Sequence, residues 1–184
     1  MKGASLETQH ENFPTFSEYA IMTSPEAVGQ PAPDASPRIR VAAIIIQGDG
    51  VLMVRHEKNG QSYWLLPGGG CEYGEAVVEA LVRELKEETG LDIRVRDLVI
   101  VNDSIPPDRH RHILNLCFTA DIVGGKIACR PDERLREARF VPLCELPDLT
   151  VYPDMKETLI ASAREGFSTH ALYLGNLWRD ASLP

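Results

Sequence analysis

The chain has 184 residues and a formal net charge of −8 at pH 7, which suits one domain with a core of ordinary size. The acidic balance disfavours non-specific binding to nucleic acid, because such binding needs a basic face. No run of about 18 apolar residues and no leader with a charged and then an apolar part is present, so we expect no membrane span and no secretory signal. We therefore expect a cytoplasmic protein.

The first 37 residues are rich in proline and lack apolar periodicity, so they predict a flexible N-terminal arm. After the arm, β-rich runs separated by turn residues predict a series of strands. In chain order these predicted strands cover residues 40–47, 51–56, 63–66, 92–103, 111–123 and 136–141. A turn at residues 124–125 and a short return through Cys129 are predicted to follow the fifth strand.

Two helices are predicted, over residues 75–89 and 154–165, each followed by a glycine. The apolar and aromatic segment 171–178 is predicted to dock on the domain. Strands interspersed with helices predict an α/β fold with a mixed sheet between helices. The cysteines Cys71, Cys117, Cys129 and Cys144 show no metal-site spacing, so we expect reduced thiols, with Cys71 partly exposed beside a run of glycines.

The last turns of the first predicted helix carry three carboxylates, Glu84, Glu87 and Glu88. Negative charges are unfavourable near a helix C-terminus, and Glu84 and Glu88 form a like-charge pair four residues apart. Helical periodicity places the three carboxylates within one arc of about 100°. Local penalties gathered at one place are typical of a functional site, and clustered carboxylates suit a hard cation such as Mg²⁺.

The same periodicity places the carboxylates at the edge of an apolar stripe that is predicted to face the core. The stripe consists of Val78, Leu81, Val82 and Leu85. The alternative interpretation is a solvated charged face, in which Arg83 forms ion pairs with Glu79 and Glu87.

A run of Pro67, Gly68, Gly69 and Gly70 separates the third predicted strand from the helix. Consecutive glycines allow positive φ and a close approach of the backbone to a ligand, so such a loop can contact a metal or phosphates. The run is neither a P-loop nor a dinucleotide fingerprint, because the required residues and spacings are absent. A plain tight turn is the alternative.

The segment from Gly69 to Leu91 matches every fixed position of the Nudix box: a glycine, five residues, Glu75, seven residues, and then Arg-Glu-Leu-Lys-Glu-Glu-Thr-Gly-Leu. The sequence therefore resembles Nudix hydrolases, and weaker resemblance extends over about residues 38–166. The resemblance implies an α/β/α sandwich. It suggests three regions: a flexible arm at residues 1–37, a Nudix domain at 38–166, and a C-terminal extension at 167–184 that docks on the domain.

The resemblance implies metal-dependent hydrolysis of a nucleoside diphosphate linked to another group, with Mg²⁺ as cofactor and Mn²⁺ as a substitute. It assigns the metal to three carboxylates and one backbone carbonyl: Glu84, Glu87, Glu88 and Gly68. Glu84 and Glu87 are also the expected catalytic carboxylates. Arg83 would tie the helix to the glycine loop, and Glu75 would have mainly a structural role near the helix start.

In this family a general base or a further ligand often lies outside the box, and Glu133 and Glu137 are the candidates here. Simple surface exposure is the alternative for both. Candidate contacts to substrate phosphates come from three arginines and two loop glycines: Arg55, Arg109, Arg111, Gly69 and Gly70. His110 and His112 alternate on a predicted strand and would share a face, where we favour surface or substrate contact over a zinc site.

Three functions are open at this point. The first is a pyrophosphatase for ADP-ribose or an ADP-sugar, because Pro107 lies sixteen residues after Leu91 and resembles a marker of that branch. The second is a (deoxy)nucleoside triphosphate pyrophosphohydrolase that removes damaged nucleotides. The third is a non-catalytic module that senses nucleotides, which the intact carboxylate set disfavours. In each case the partner is a small nucleotide, and the sequence leaves a homodimer open.

Overall fold

The computed structural model describes residues 36–128, 134–168 and 170–179. All but two residues of the predicted arm, together with Cys129 and Glu133, lie outside these ranges. The strands are β1 (Arg38–Ile44), β2 (Ile46–Gln47), β3 (Gly50–Lys58), β4 (Gln61–Leu65), β5 (Leu91–Ser104), β6 (Ile113–Gly125), β7 (Leu135–Pro142) and β8 (Leu172–Asn176). The helices are α1 (Val77–Thr89) and α2 (Lys156–Glu165), with a 3₁₀ turn at Leu146–Asp148.

The strands form two sheets of four strands each. The first has the order β1-β6-β5-β8, in which β1 runs parallel to β6, β6 antiparallel to β5, and β5 parallel to β8. In the second sheet β3 pairs antiparallel with β2, β4 and β7. The predicted α/β fold with a mixed sheet is therefore confirmed.

The core fills both faces of β1. Val41 and Ala43 pack on the side of α1, where they meet Leu81 and Leu85. Ala42 and Ile44 belong to the opposite apolar cluster, which includes Leu159 of α2 and other buried side chains. A strand that is buried on both faces has a nearly continuous apolar sequence. The two helices thus cover opposite sides of β1, the strand whose backbone hydrogen-bonds to the glycine loop.

The prediction for α1 was wrong in its start and in its buried face. The helix begins at Val77 instead of residue 75, and it ends as predicted before Gly90, which has a left-handed backbone. Val78 and Val82 are 46% and 40% exposed, although both were predicted to face the core. The buried face is rotated toward the glycine loop, because that loop packs against the side of the helix that carries the carboxylates.

Glu79 does not pair with Arg83. Its side chain instead accepts a hydrogen bond from the backbone N–H of Ala76 at the start of α1, with a distance of 3.1 Å. Four backbone N–H groups at a helix start lack partners within the helix, so this contact satisfies one of them.

Several predicted boundaries around β6 were also wrong. The strand begins at Ile113, so His110 and His112 precede it and do not share a strand face. His110 Nδ1 lies 2.6 Å from Asp108, and His112 Nε2 lies 2.7 Å from Asp103. Residues 124–125 form no turn, because they end β6 and pair with residues 91–92 of β5. Residues 126–128 are not a strand, and the rest of the predicted return lies outside the described residues.

The segment after α2 contributes β8 to the edge of the first sheet. Ile100 and Val101 of β5 pair with Leu172 and Tyr173, and the second helix begins at residue 156 instead of 154. Cys71, Cys117 and Cys144 are free thiols. Within the described ranges, no helix is long and apolar enough to cross a membrane.

Candidate active site

Arg83 joins helix α1 to the glycine loop. Its guanidinium donates to both carboxylate oxygens of Glu75, each at 2.9 Å, to Glu84 at 2.8 Å, and to the carbonyl of Gly70 at 3.2 Å. The hydrogen bond from Arg83 lowers the pKa of Glu75 to about 2, and the same bonds raise the pKa of Arg83. A planar guanidinium with five donors can hold several acceptors in one fixed geometry.

The glycines bring the backbone into direct contact with β1 and Glu84. A Cβ at Gly68, which has a φ of 138°, would lie 2.1 Å from the carbonyl oxygen of Val41. A Cβ at Gly69 would lie 2.2 Å from the carboxyl carbon of Glu84, whereas one at Gly70 would make only an ordinary contact at 3.7 Å. The loop can therefore pack against the carboxylate only because residue 69 has no side chain.

Glu88 binds the first glycine of the loop. The backbone N–H of Gly68 donates to Glu88 Oε2 at 2.8 Å. His56 Nε2 lies 3.8 Å from Glu88 Oε1, and this buried nitrogen has no hydrogen-bond partner among the described residues. Buried polar atoms are normally hydrogen-bonded, so an unpartnered one beside a carboxylate is typical of a site that receives a further group.

The three helix carboxylates differ in exposure. The side chains of Glu84 and Glu88 are 17% and 16% exposed, whereas that of Glu87 is 63% exposed and lies 3.7 Å from Arg83. Burial raises the pKa of Glu84 despite the hydrogen bond from Arg83, and the charges of Glu88 and Glu87 raise it further. The folded structure thus disfavours the ionised form of Glu84 in comparison with an ordinary solvated carboxyl group.

These carboxylates fit a divalent cation. A bound cation would offset both the burial of Glu84 and its repulsion from Glu88, and carboxylate oxygens are the ligands that Mg²⁺ prefers. Within the described ranges, no three His, Cys, Asp or Glu side chains already converge as a complete metal site. Arg83 donates to one oxygen of Glu84, and the Gly68 N–H donates to one oxygen of Glu88.

Arg40 connects the glycine loop to a cavity. Its Nη2 donates to the carbonyl oxygens of Leu66 at 2.9 Å and Gly68 at 3.1 Å, and the same side chain forms part of the cavity wall. Gly68 therefore accepts a hydrogen bond from the cavity side through its carbonyl and donates one to Glu88 through its N–H. A single residue links the carboxylates of α1 to the cavity.

The cavity has a volume of about 650 Å³ and a basic, aromatic lining. No acidic side chain lines it among the described residues, although the chain as a whole carries a net charge of −8. Its basic and aromatic members are Arg40, Lys58, Arg111, Arg134, Arg179, Tyr63, Tyr152 and Trp178. Arginine and lysine bind phosphate oxygens and aromatic rings pack against planar groups, so the lining suits a nucleotide.

Glu137, one of the two candidates for the general base, forms ion pairs with two arginines. Glu137 pairs with Arg55 at 3.0 Å and with Arg139 at 3.3 Å. Arg55 and His56 are adjacent on β3 with a register shift between them, and Glu137 of β7 is the strand partner of Arg55. The predicted base is thus held in an ion-pair cluster, in which Arg55 also donates to Ser62 at 3.3 Å.

Two of the three arginines that were predicted to contact phosphate differ in their surroundings. Arg111 lines the cavity, with its guanidinium 4.5 Å from the centre of the Trp178 ring. Arg109 is exposed in a turn with a φ of 54°, and it is not among the residues that line the cavity. Arg40 was not among the predicted site residues, and neither were Trp178 and the two tyrosines, because their local sequence pattern is that of ordinary strand and loop residues.

Comparison with known proteins decides the family. Residues 36–161 match the family model of the NUDIX domain. The chain belongs to the Nudix family. An ADP-ribose pyrophosphatase of Methanocaldococcus jannaschii is 38% identical over 114 residues, which cover 61% of this chain and 66% of the relative. An NAD-capped RNA hydrolase of Pseudomonas entomophila is 33% identical over 115 residues, which cover 61% of this chain but 40% of that protein.

Solved structures of Nudix proteins have the same fold. An ADP-ribose pyrophosphatase from Streptococcus suis superposes with a TM-score of 0.58 at 26% identity, covering 77% of this chain and 100% of the other. A Nudix hydrolase from Nitrosomonas europaea gives a TM-score of 0.64 at 22% identity, covering 72% and 91%. Nudix hydrolases generally use divalent metal ions, and the pyrophosphatase relatives indicate a hydrolase that acts on pyrophosphate bonds.

Proposed function

We propose that the protein hydrolyses the diphosphate bond of ADP-ribose or a related ADP-sugar in a reaction that depends on Mg²⁺, for which Mn²⁺ can substitute. The observation that carries this proposal is the double contact of Gly68, with Glu88 on one side and the cavity residue Arg40 on the other. A nucleotide in the basic, aromatic cavity would have its diphosphate beside the helix carboxylates. The M. jannaschii and S. suis relatives support an ADP-ribose substrate by their names.

Glu84, Glu87 and Glu88 would hold the cation, with the Gly68 carbonyl as a further ligand. When bound, a divalent ion neutralises charge on phosphate oxygens and lowers the pKa of bound water. The carbonyl of Gly68 has a second lone pair in addition to the one that Arg40 uses, so both contacts are compatible. Arg83 acts as a positioning residue, because it holds Glu84 and the Gly70 carbonyl in place.

The cavity side would bind the phosphates and the base. Arg40 and Arg111 are the strongest candidates for phosphate contacts, because both line the cavity. Arg55 is the weaker candidate, since its guanidinium is already paired with Glu137. Gly69 and Gly70 would contact the diphosphate through their backbone. The assignment of a general base to Glu137 or Glu133 and the expected cytoplasmic location stay predictions.

A second candidate substrate is the NAD group, because the Pseudomonas relatives are named as NAD-capped RNA hydrolases. NAD and ADP-ribose share an adenosine diphosphate, so the same cavity and carboxylates would serve both. The basic side chains that line the cavity also suit a substrate with phosphates in addition to the diphosphate that is cleaved.

Product analysis separates these functions. Purified protein is incubated with ADP-ribose, ADP-glucose, NAD and nucleoside triphosphates, with Mg²⁺ and with chelator, and the products are resolved by chromatography. We expect metal-dependent release of AMP and ribose 5-phosphate from ADP-ribose. AMP and nicotinamide mononucleotide formed faster from NAD would favour the second candidate. Monophosphate and pyrophosphate from triphosphates alone would contradict the proposal and support a nucleotide-cleansing enzyme. Nucleotide binding with no turnover would support the sensing module.

A further inference from the structure

A row of polar side chains marks the place where the core ends and the cavity begins. The strand register places Arg40 of β1, Asn115 of β6 and Asn102 of β5 side by side on one face of the first sheet. The next row on the same face, two residues away on each strand, is apolar and belongs to the core: Ala42, Cys117 and Ile100. Asn115 is 2% exposed and Asn102 is fully buried, so two carboxamides stand where the strand pattern predicts apolar residues.

The Asn115 carboxamide bonds to two side chains of β5 through its nitrogen. Its Nδ2 donates to Asn102 Oδ1 and to Ser104 Oγ, both at 3.1 Å, so both N–H groups are in use. Its Oδ1 has no hydrogen-bond partner among the described residues, and the side chain lines the cavity floor. Asn102 Nδ2 is buried and has no hydrogen-bond partner in the part of the chain that the structure describes. The cluster therefore contains one buried donor without a partner, the Asn102 Nδ2, at an energetic cost. The oxygen of Asn115 is left available to a group in the cavity.

The walls around this acceptor suit a planar heterocycle. Tyr63 and Tyr152 meet edge to face with ring centres 5.5 Å apart, and Trp178 forms another aromatic wall. Aromatic side chains favour stacked or edge contacts with planar rings. Arg40, next to Asn115 in the row, bonds to the glycine loop, so the phosphates of a bound nucleotide would extend toward the loop and leave the base on the floor.

We propose that Asn115 determines the nucleobase of the substrate by accepting a hydrogen bond from an exocyclic amino group, as on adenine. Asn102 is a positioning residue that holds the Asn115 carboxamide. This inference rests on the proposed function. A base with a carbonyl oxygen at the same position, such as hypoxanthine, would set two acceptors against each other at that position. Sites that hydrogen-bond a ligand N–H discriminate strongly against analogues that lack it.

Calorimetric titration of the full chain with AMP and with IMP tests the inference without turnover. We expect AMP to bind roughly 10-fold or more tightly than IMP, since IMP has a carbonyl oxygen in place of the 6-amino group and a proton on N1. Asn115→Ala should reduce this ratio to near one. Gln61→Ala is the matched control, because it removes a carboxamide from the exposed rim of the same cavity and should preserve the ratio. Melting curves of both variants report whether they fold.

Each outcome decides the inference. Equal affinities in the wild-type protein, a preference for IMP, or no binding of either nucleotide would overturn it, even if Asn115→Ala does not fold. A ratio that survives in a folded Asn115→Ala variant would also overturn it. If only the proposed function is wrong, AMP would still bind more tightly than IMP in the titration, while ADP-ribose and NAD would remain uncleaved in the product assay.

Discussion

The two faces of the first sheet carry different chemistry. On the α1 side, charged groups are concentrated between residues 68 and 91, and ion pairs around Arg83 hold them. On the α2 side, the cluster of Asn102, Ser104 and Asn115 is neutral, and hydrogen bonds between β5 and β6 hold it. The groups proposed to hold the metal thus come from one short segment, whereas the cluster proposed to contact the base is assembled from two strands.

The largest expected effect lies on the charged face. Glu88→Gln should lower kcat by roughly 100-fold or more, because a neutral amide is a poor ligand for Mg²⁺. The amide oxygen can still accept the Gly68 N–H, and the variant loses the charge that raises the pKa of Glu84. We therefore expect an unchanged or higher Tm without metal. Glu79→Gln on the same helix serves as the control, with activity near that of wild type.

The second prediction concerns the contact between the loop and the helix. Gly69→Ala should reduce kcat/KM by about 10- to 100-fold, because its Cβ would overlap the Glu84 carboxylate at 2.2 Å and displace it. Gly70→Ala is the matched control, because it makes the same chemical change at the adjacent residue. Its Cβ would lie 3.7 Å from Arg38, which is an ordinary contact. Steady-state kinetics of both variants, with Tm values, make the comparison. Equal losses in the two variants would contradict the steric argument.

The third prediction concerns Arg40, which contacts the glycine loop and also lines the cavity. Arg40→Met removes both hydrogen bonds to the loop and one cationic group from the cavity. We expect KM for ADP-ribose to rise roughly 10-fold, with a smaller decrease in kcat. Arg38→Met is the control two residues earlier on β1, where the side chain is exposed. A change in kcat alone would mean that Arg40 positions the loop without binding phosphate.

The smallest effect concerns stability as a function of pH. The folded protein holds the pKa of Glu75 at about 2, below its ordinary value of 4.5. Its carboxylate therefore stabilises the fold fully above about pH 4.5, and this contribution is lost as the pH falls toward 2. Compared with the wild type, Glu75→Gln should melt at a lower temperature at pH 6, and the difference should shrink between pH 4.5 and 2. A difference independent of pH would show that charge plays no part.

The box of residues from Gly69 to Leu91 was sufficient to predict the family, the mixed α/β fold and the grouping of the carboxylates. It could not predict which face of α1 is buried, because Val78 and Val82 have the apolarity of core residues. The position of the glycine loop decides that face, since the loop takes the side where Glu84 and Glu88 lie.

What the sequence alone determined is local: a glycine run, a helix with its left-handed stop at Gly90, and three carboxylates within five residues of one another. What only the tertiary structure decided is the cavity. Arg40, Asn102 and Asn115 are separated by up to 75 positions, yet strand register places them in one row. Spacing along the chain determines contacts within a helix, whereas contacts between strands depend on pairing partners and register, which short-range patterns do not specify.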